Sequence, residues 1–171
     1  MPELRELPNG AAQEVKPGVF LGGSAAALDK ESLKGMGITH VLTANGEAPL
    51  HPNDFKYKTL SVTEKGDGVA PVLPGALQFI DEATAGGGSV LVHCTHGTGR
   101  SAALVIAHVM QTETEVGAQP LLSAAYGIVG VAGMIGDNVD AAAALSIVKE
   151  RRPGTDPPTP YSAQLDAWAK N

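Results

Sequence analysis

The sequence predicts an α/β domain with a mostly parallel central sheet flanked by helices. Three observations carry that reading. Short apolar, β-branched segments alternate with helical ones through the first two thirds of the chain. Glycine and proline mark the turns between them. The segment 89–93, "SVLVH", runs through a glycine-containing loop straight into a nearly all-apolar helical segment, 100–111. Alternating strands and helices are the pattern of βα units, whose strands run parallel and whose faces are both covered. A chain of 171 residues can bury the core of one domain, and residues 1–171 are read as one.

The elements follow in order. "PGVFLGG" (17–23) reads as a short strand ending in a glycine turn. "DKESLKGMG" (29–37) reads as a short helix closing near Gly35 or Gly37. "ITHVLTA" (38–44) is β-branched and apolar, hence a buried strand, and the loosely alternating "FKYKTLSV" (55–62) is the next. Residues 63–71 read as a loop. Segment 72–88 holds a helix of about ten residues closed by three glycines. After the strand at 89–93 and the buried helix at 100–111 comes an apolar stretch of small residues, 117–138, with Gly127, Gly130, Gly133 and Gly136 three apart. It fits helical packing through small residues or a glycine-punctuated loop, since glycine disfavours helix interiors. "DAAAALSIVKERRPG" (140–154) is a helix with Asp140 as N-cap and Gly154 past its end, and "SAQLDAWAK" a short terminal helix.

Composition narrows the classes. The net charge of −6 and pI near 5.3 make nonspecific binding to nucleic acid or anionic lipid unfavourable, so no nucleic-acid partner is expected. No run of 18 apolar residues appears, so no membrane span is expected. The start is polar and mixed in charge, unlike a secretory signal. The single cysteine cannot form an internal disulfide. A cytoplasmic location follows as the default.

That cysteine stands in "VHCTHGTGRS" (92–101). A strand, a glycine loop and a helix make a natural anion site. The loop amides can point inward, and the helix N-terminus adds partial positive charge. Thr95, His96, Gly97, Thr98, Gly99 and Arg100 would supply those amides. Gly97 and Gly99 permit the tight backbone, and Arg100 adds a planar fork for two phosphate oxygens. A thiol at the centre of such a cradle ionises more readily, so Cys94 would be a thiolate able to attack phosphorus. Ser101 can hydrogen-bond the sulfur and make it a better leaving group. A lone cysteine is ordinarily a buried inert thiol. A zinc site on His93, Cys94 and His96 is disfavoured, because adjacent strand residues face opposite ways and no second ligand cluster exists. His93 reads as a buttress of the loop, and His96 as an exposed residue or a substrate contact.

His-Cys-x-x-Gly-x-x-Arg-Ser resembles the signature of the cysteine-dependent protein tyrosine phosphatases, in particular the compact dual-specificity phosphatases. The likeness extends to "GVFLGGSAAALDKESLKGMGITHVLTANGEAP", "LQFIDEATAGGGSVLVHC", "RSAALVIAHVM", "ALSIVKERRPG" and "YSAQL". It implies three roles. Cys94 forms a phosphocysteine, Arg100 binds the phosphoryl oxygens, and a carboxylic acid on another loop protonates the leaving oxygen and then activates water. No metal or other cofactor is implied. For the acid, the family's strand-and-aspartate pattern puts Glu64 in place, whereas residue type and loop length point to Asp67 between Gly66 and Gly68. Both stay open.

The resemblance also bears on substrate. No lysine or arginine stands among Thr95, His96, Thr98 and Gly99, unlike relatives acting on phosphoinositides. RNA 5′-triphosphatases of the superfamily share Cys-Thr-His-Gly but carry asparagine at the position of Gly99 and threonine at that of Ser101. Glucan phosphatases share Gly-x-Gly-Arg, but aromatic residues make up only 4% here, too few for platforms that stack on sugar. A phosphorylated protein is the expected partner. The alternatives are those non-protein phosphates, or a pseudophosphatase that binds phosphoprotein without turnover. Two departures stand out. Pro158 replaces an asparagine that steadies the loop in the family, and the spacing from Met110 to Ala144 is longer than the family's. The excess is a Gly-rich apolar insertion at about 115–137, a candidate partner or dimer contact.

Overall fold

The computed structural model describes residues 11–63, 65, 68–113 and 139–170. The strands are β1 (Gln13–Lys16), β2 (Val19–Gly22), β3 (Ile38–Thr43), β4 (Lys56–Thr59) and β5 (Ser89–His93). They form a five-stranded sheet in the order β1-β2-β5-β3-β4. Only β1 runs antiparallel; β2, β5, β3 and β4 are mutually parallel. The strand that leads into the cysteine loop is thus the middle one, and its residues are buried from Val90 to His93.

Helices cover both faces. On one lie α1 (Ser24–Leu28) and α2 (Lys30–Gly35); on the other lie α3 (Leu73–Ala85), α4 (Arg100–Thr112), α5 (Ala141–Arg151) and α6 (Thr159–Ala169). The period of two along the strands divides their side chains between these layers. Val90 and Val92 join the larger core with Val19 and Leu21, while Leu91 and Phe20 join the smaller one. In β3, Ile38 and Val41 share the smaller core although they are three apart. The pairing with β5 shifts between Ile38 and His40, so two residues oppose one and the alternation reverses. The shift turns His40 onto Phe79 of α3, edge to face at 5.2 Å. In the middle of the larger core sits α4, buried from Ser101 to Met110.

The α/β class and the parallel sheet agree with the sequence reading. Asp140 caps α5 as expected, its carboxylate accepting from the Ala143 amide at 2.8 Å. Asp29 does the same for α2 through Ser32, at 3.0 Å. Several details differ. The strand expected over 55–62 is confined to Lys56–Thr59, after which the chain curls so that Ser61 bridges back to Asn45. Helix α3 has 13 residues and α6 begins at Thr159. Strand β1 and helix α1 were not expected at all. The 115–137 insertion lies outside the described residues.

Candidate active site

Residues 94–99 form the loop between β5 and α4, at the carboxyl end of the central strand, where α/β sheets bind ligands. Its carbonyls are tied from outside. The Ser24 hydroxyl donates to Cys94 O at 3.3 Å and the Ser24 amide to Thr95 O at 3.1 Å. The Asp156 amide donates to Thr98 O at 2.9 Å. Gly97 has φ +71°, and its Cα backs onto the turn after β2, so closely that a Cβ would lie 2.4 Å from Gly22 C and O.

The loop amides gather round the sulfur. Cys94 Sγ lies 3.1 Å from Ser101 Oγ and accepts the Gly97 amide at 3.3 Å. Burial acts to raise the thiol's pKa. The Ser101 hydroxyl and the amides of Ser101, Gly97 and His96 act against it and prevail, holding the thiol below its ordinary value. Both partners are sequestered, Cys94 at 3% and Ser101 at 0% exposure, so water does not dilute these bonds.

The other residues singled out in the sequence take distinct places. The Arg100 guanidinium donates from Nη2 to Thr95 Oγ1 at 2.9 Å. His93 is buried, and Nε2 meets Thr43 Oγ1 at 3.0 Å, joining β5 to β3 beneath the loop. Burial pushes its pKa down, which favours the neutral ring. His96 is exposed and lines a cavity of about 200 Å³ with Cys94, Thr98, Gly99, Arg100, Asp156, Pro158 and Tyr161. Of the three residues considered for zinc, His93 turns to β3, while Cys94 and His96 share the cavity wall. Glu64 and Asp67 lie outside the described residues.

Among the described residues, Ser24, Arg152, Asp156 and Tyr161 contribute although nothing in the sequence reading pointed to them. Arg152, the C-cap of α5, donates from Nε to Gly97 O at 3.1 Å and from Nη2 to His96 O at 3.5 Å. Pro158 stands where the family's asparagine was missed. It walls the cavity, and the tie from the Asp156 amide to Thr98 O holds the loop beside it. From α6 the Tyr161 hydroxyl donates to Thr63 O, and Gln164 Oε1 accepts the amides of Val69 and Ala70 at 3.0 and 3.4 Å. The ends of the 63–70 loop are thus anchored to α6. The arrangement suits a tetrahedral oxyanion, held by amides and a guanidinium against an ionisable thiol.

Residues 19–124 match the dual specificity phosphatase catalytic domain. The chain is 42% identical over 109 residues to dual specificity protein phosphatase 1 of Arabidopsis thaliana, covering 63% of this chain and 55% of that protein. It is 31% identical over 156 residues to dual specificity protein phosphatase 19 of Mus musculus, covering 90% of this chain and 60% of that one. It spans a little over half the length of these relatives. Among solved structures, the human tyrosine phosphatase-like serine/threonine/tyrosine-interacting protein superposes with a TM-score of 0.73 at 29% identity, over 94% of this chain and 96% of that one.

Proposed function

The chain belongs to the dual specificity phosphatase catalytic-domain family, and on that premise we propose that it hydrolyses phosphate monoesters on proteins, at phosphotyrosine and at phosphoserine or phosphothreonine. The observation that carries this reading is the buried Cys94 sulfur, 3.1 Å from Ser101 Oγ and faced by loop amides. The thiolate attacks phosphorus, the P–O bond to the substrate breaks, and a phosphocysteine forms. Arg100 and the amides of residues 95–100 hold the phosphoryl oxygens through both steps. Glu64 or Asp67 gives its proton to the departing oxygen, then takes one from the water that displaces Cys94. Ser101 stabilises the thiolate as it leaves. His93 keeps the loop seated on the sheet.

The cavity wall supports a phosphoprotein over a polyphosphorylated lipid or RNA end. Its described residues offer one guanidinium, Arg100, and one carboxylate, Asp156. A single phosphate suits that balance better than a cluster of anions. The described residues contain no helix long and apolar enough to cross a membrane. We assign residues 1–171 to one catalytic domain working in the cytoplasm, with the 115–137 segment as a partner or self-association contact.

Hydrolysis of para-nitrophenyl phosphate at mildly acidic pH, abolished by Cys94→Ser, tests the chemistry. Phosphopeptides, phosphoinositides, RNA 5′-triphosphate and phosphoglucan assayed side by side test the substrate class. Binding of phosphopeptide without turnover would replace the enzyme reading with that of a pseudophosphatase.

A further inference from the structure

Arg152 reaches the carbonyls of the cysteine loop and is not among the described residues that line the cavity. Its guanidinium is half-buried and spans two structures. Nε and Nη2 reach Gly97 O and His96 O; Nη1 reaches Ala11 O at 3.1 Å and Gln13 Oε1 at 3.5 Å. One role for such a residue is to fasten the end of α5 to the start of β1. Peptide geometry assigns it more. In a trans peptide the C=O and the next N–H point in opposite directions. A donor holding His96 O from outside therefore aims the Gly97 amide inward, and that amide meets Cys94 Sγ at 3.3 Å. The Gly97 carbonyl and the Thr98 amide are linked in the same way. Backbone donors serve the neighbouring peptides, through Ser24 to Thr95 O and Asp156 to Thr98 O. For the two middle peptides the outer donor is the Arg152 side chain.

We propose that Arg152 is a positioning residue of the phosphate cradle, holding two loop carbonyls outward so that the amides of Gly97 and Thr98 face the thiolate and the bound phosphate. This rests on the reading of Cys94 as a nucleophile in an anion site. Burial works to lower the Arg152 pKa while the Cys94 charge works to raise it, so the two groups sense each other across the loop. Among the described residues, the other titratable groups around the thiol are Arg100 on α4, His96 and His93 on the loop and β5, and Asp156 and Tyr161 on the cavity wall, with Glu47 reached through Ser24.

The test measures the pH dependence of Cys94 alkylation by iodoacetamide, and the affinity for inorganic phosphate, in the wild type, Arg152→Met and Arg152→Lys. Methionine keeps an apolar stem and removes every donor; lysine keeps the charge but gathers its donors on one nitrogen, without the planar fork whose Nε and Nη2 serve the two carbonyls separately. In Arg152→Met the alkylation midpoint should rise by about one pH unit, slowing reaction at mildly acidic pH about tenfold, and phosphate should bind about tenfold more weakly. Arg152→Lys should fall between. A folded Arg152→Met with the wild-type midpoint and phosphate affinity overturns the proposal. If that variant does not fold by circular dichroism, Arg152→Lys is decisive on the same readings. In the wild type the Arg152 Nε–H NMR signal should shift as Cys94 titrates, and its indifference would also overturn the proposal. A wild-type thiol titrating at its ordinary value would instead overturn the nucleophile reading itself.

Discussion

Replacing Gly97 with alanine tests the tightest contact in the site. At φ +71° a residue with a Cβ loses about 1–2 kcal/mol in backbone energy. The new methyl would also lie 2.4 Å from Gly22 C and O and 2.8 Å from Gly23 N, whereas ordinary contact begins at 3.4 Å. These obstacles are backbone, and Gly22 pairs with His93 in the sheet, so β2 cannot retreat without loosening its ladder to β5. The loop must therefore move by about 1 Å. A displacement of about 1 Å at a site of covalent chemistry costs on the order of 100-fold in rate. Steady-state hydrolysis of para-nitrophenyl phosphate should accordingly show kcat/KM down about 100-fold, and the Tm should drop by about 2–8 °C. Gly154→Ala is the matched control, because nothing lies within 4 Å of its added Cβ; it should leave both readings near wild type. If Gly97→Ala keeps kcat/KM within about threefold, well inside the loss expected from misplacement, the close packing of loop against β2 is not what shapes the cradle.

Ser101→Ala removes a hydroxyl 3.1 Å from the sulfur. A hydrogen bond to a charged group contributes about 1.5–3 kcal/mol, so the thiol pKa should rise by about 1–2 units. Because the thiolate is the reactive form and folding holds its pKa low, the acid limb of kcat/KM should move to higher pH; an unmoved limb contradicts the assignment. Glu64→Gln and Asp67→Asn compared over a series of phenyl phosphates should separate the candidate acids, since loss of the true acid slows poor leaving groups most. If neither variant shows that dependence, the proton comes from elsewhere. Peroxide should inactivate the chain by oxidising Cys94, and mass spectrometry should find sulfenic or higher acids. An intramolecular disulfide would contradict a chain with one cysteine.

The parts of the fold legible in the sequence are those whose side chains alone decide their fate. Segments 38–43 and 89–93 are rich in β-branched and apolar residues because Ile38, Val41, Leu42, Thr43 and Val90 to His93 are interior, and 101–110 is nearly all apolar because that part of α4 is buried throughout. Strand β1 has the sequence "QEVK" with Val15 its only buried residue, so nothing marks it except its partner β2. Helix α1 has five residues and no side-chain cap; the Ser24 amide at its start is satisfied by Thr95 O, a contact 71 residues away in sequence. The site divides along the same line. The nucleophile and its ring of amides sit in one contiguous motif with its own spacing. Ser24, Arg152, Asp156 and Tyr161 reach it only through the tertiary fold. The adjacent pair Arg151–Arg152, half of all the arginines in the chain, was the available signal, and periodicity cannot tell which of two neighbours turns back from a helix end toward a loop.

The outer ties of the cysteine loop set an order of events as the chain is made. Ser24 leaves the ribosome long before Cys94, but Arg152 and Asp156 come more than fifty residues after it. A nascent chain that has reached the end of α4 carries the nucleophile and its arginine yet lacks the donors that turn the His96, Gly97 and Thr98 carbonyls outward. Reactivity at Cys94 should therefore lag behind synthesis of the loop itself, appearing only when α5 and α6 have been made and dock.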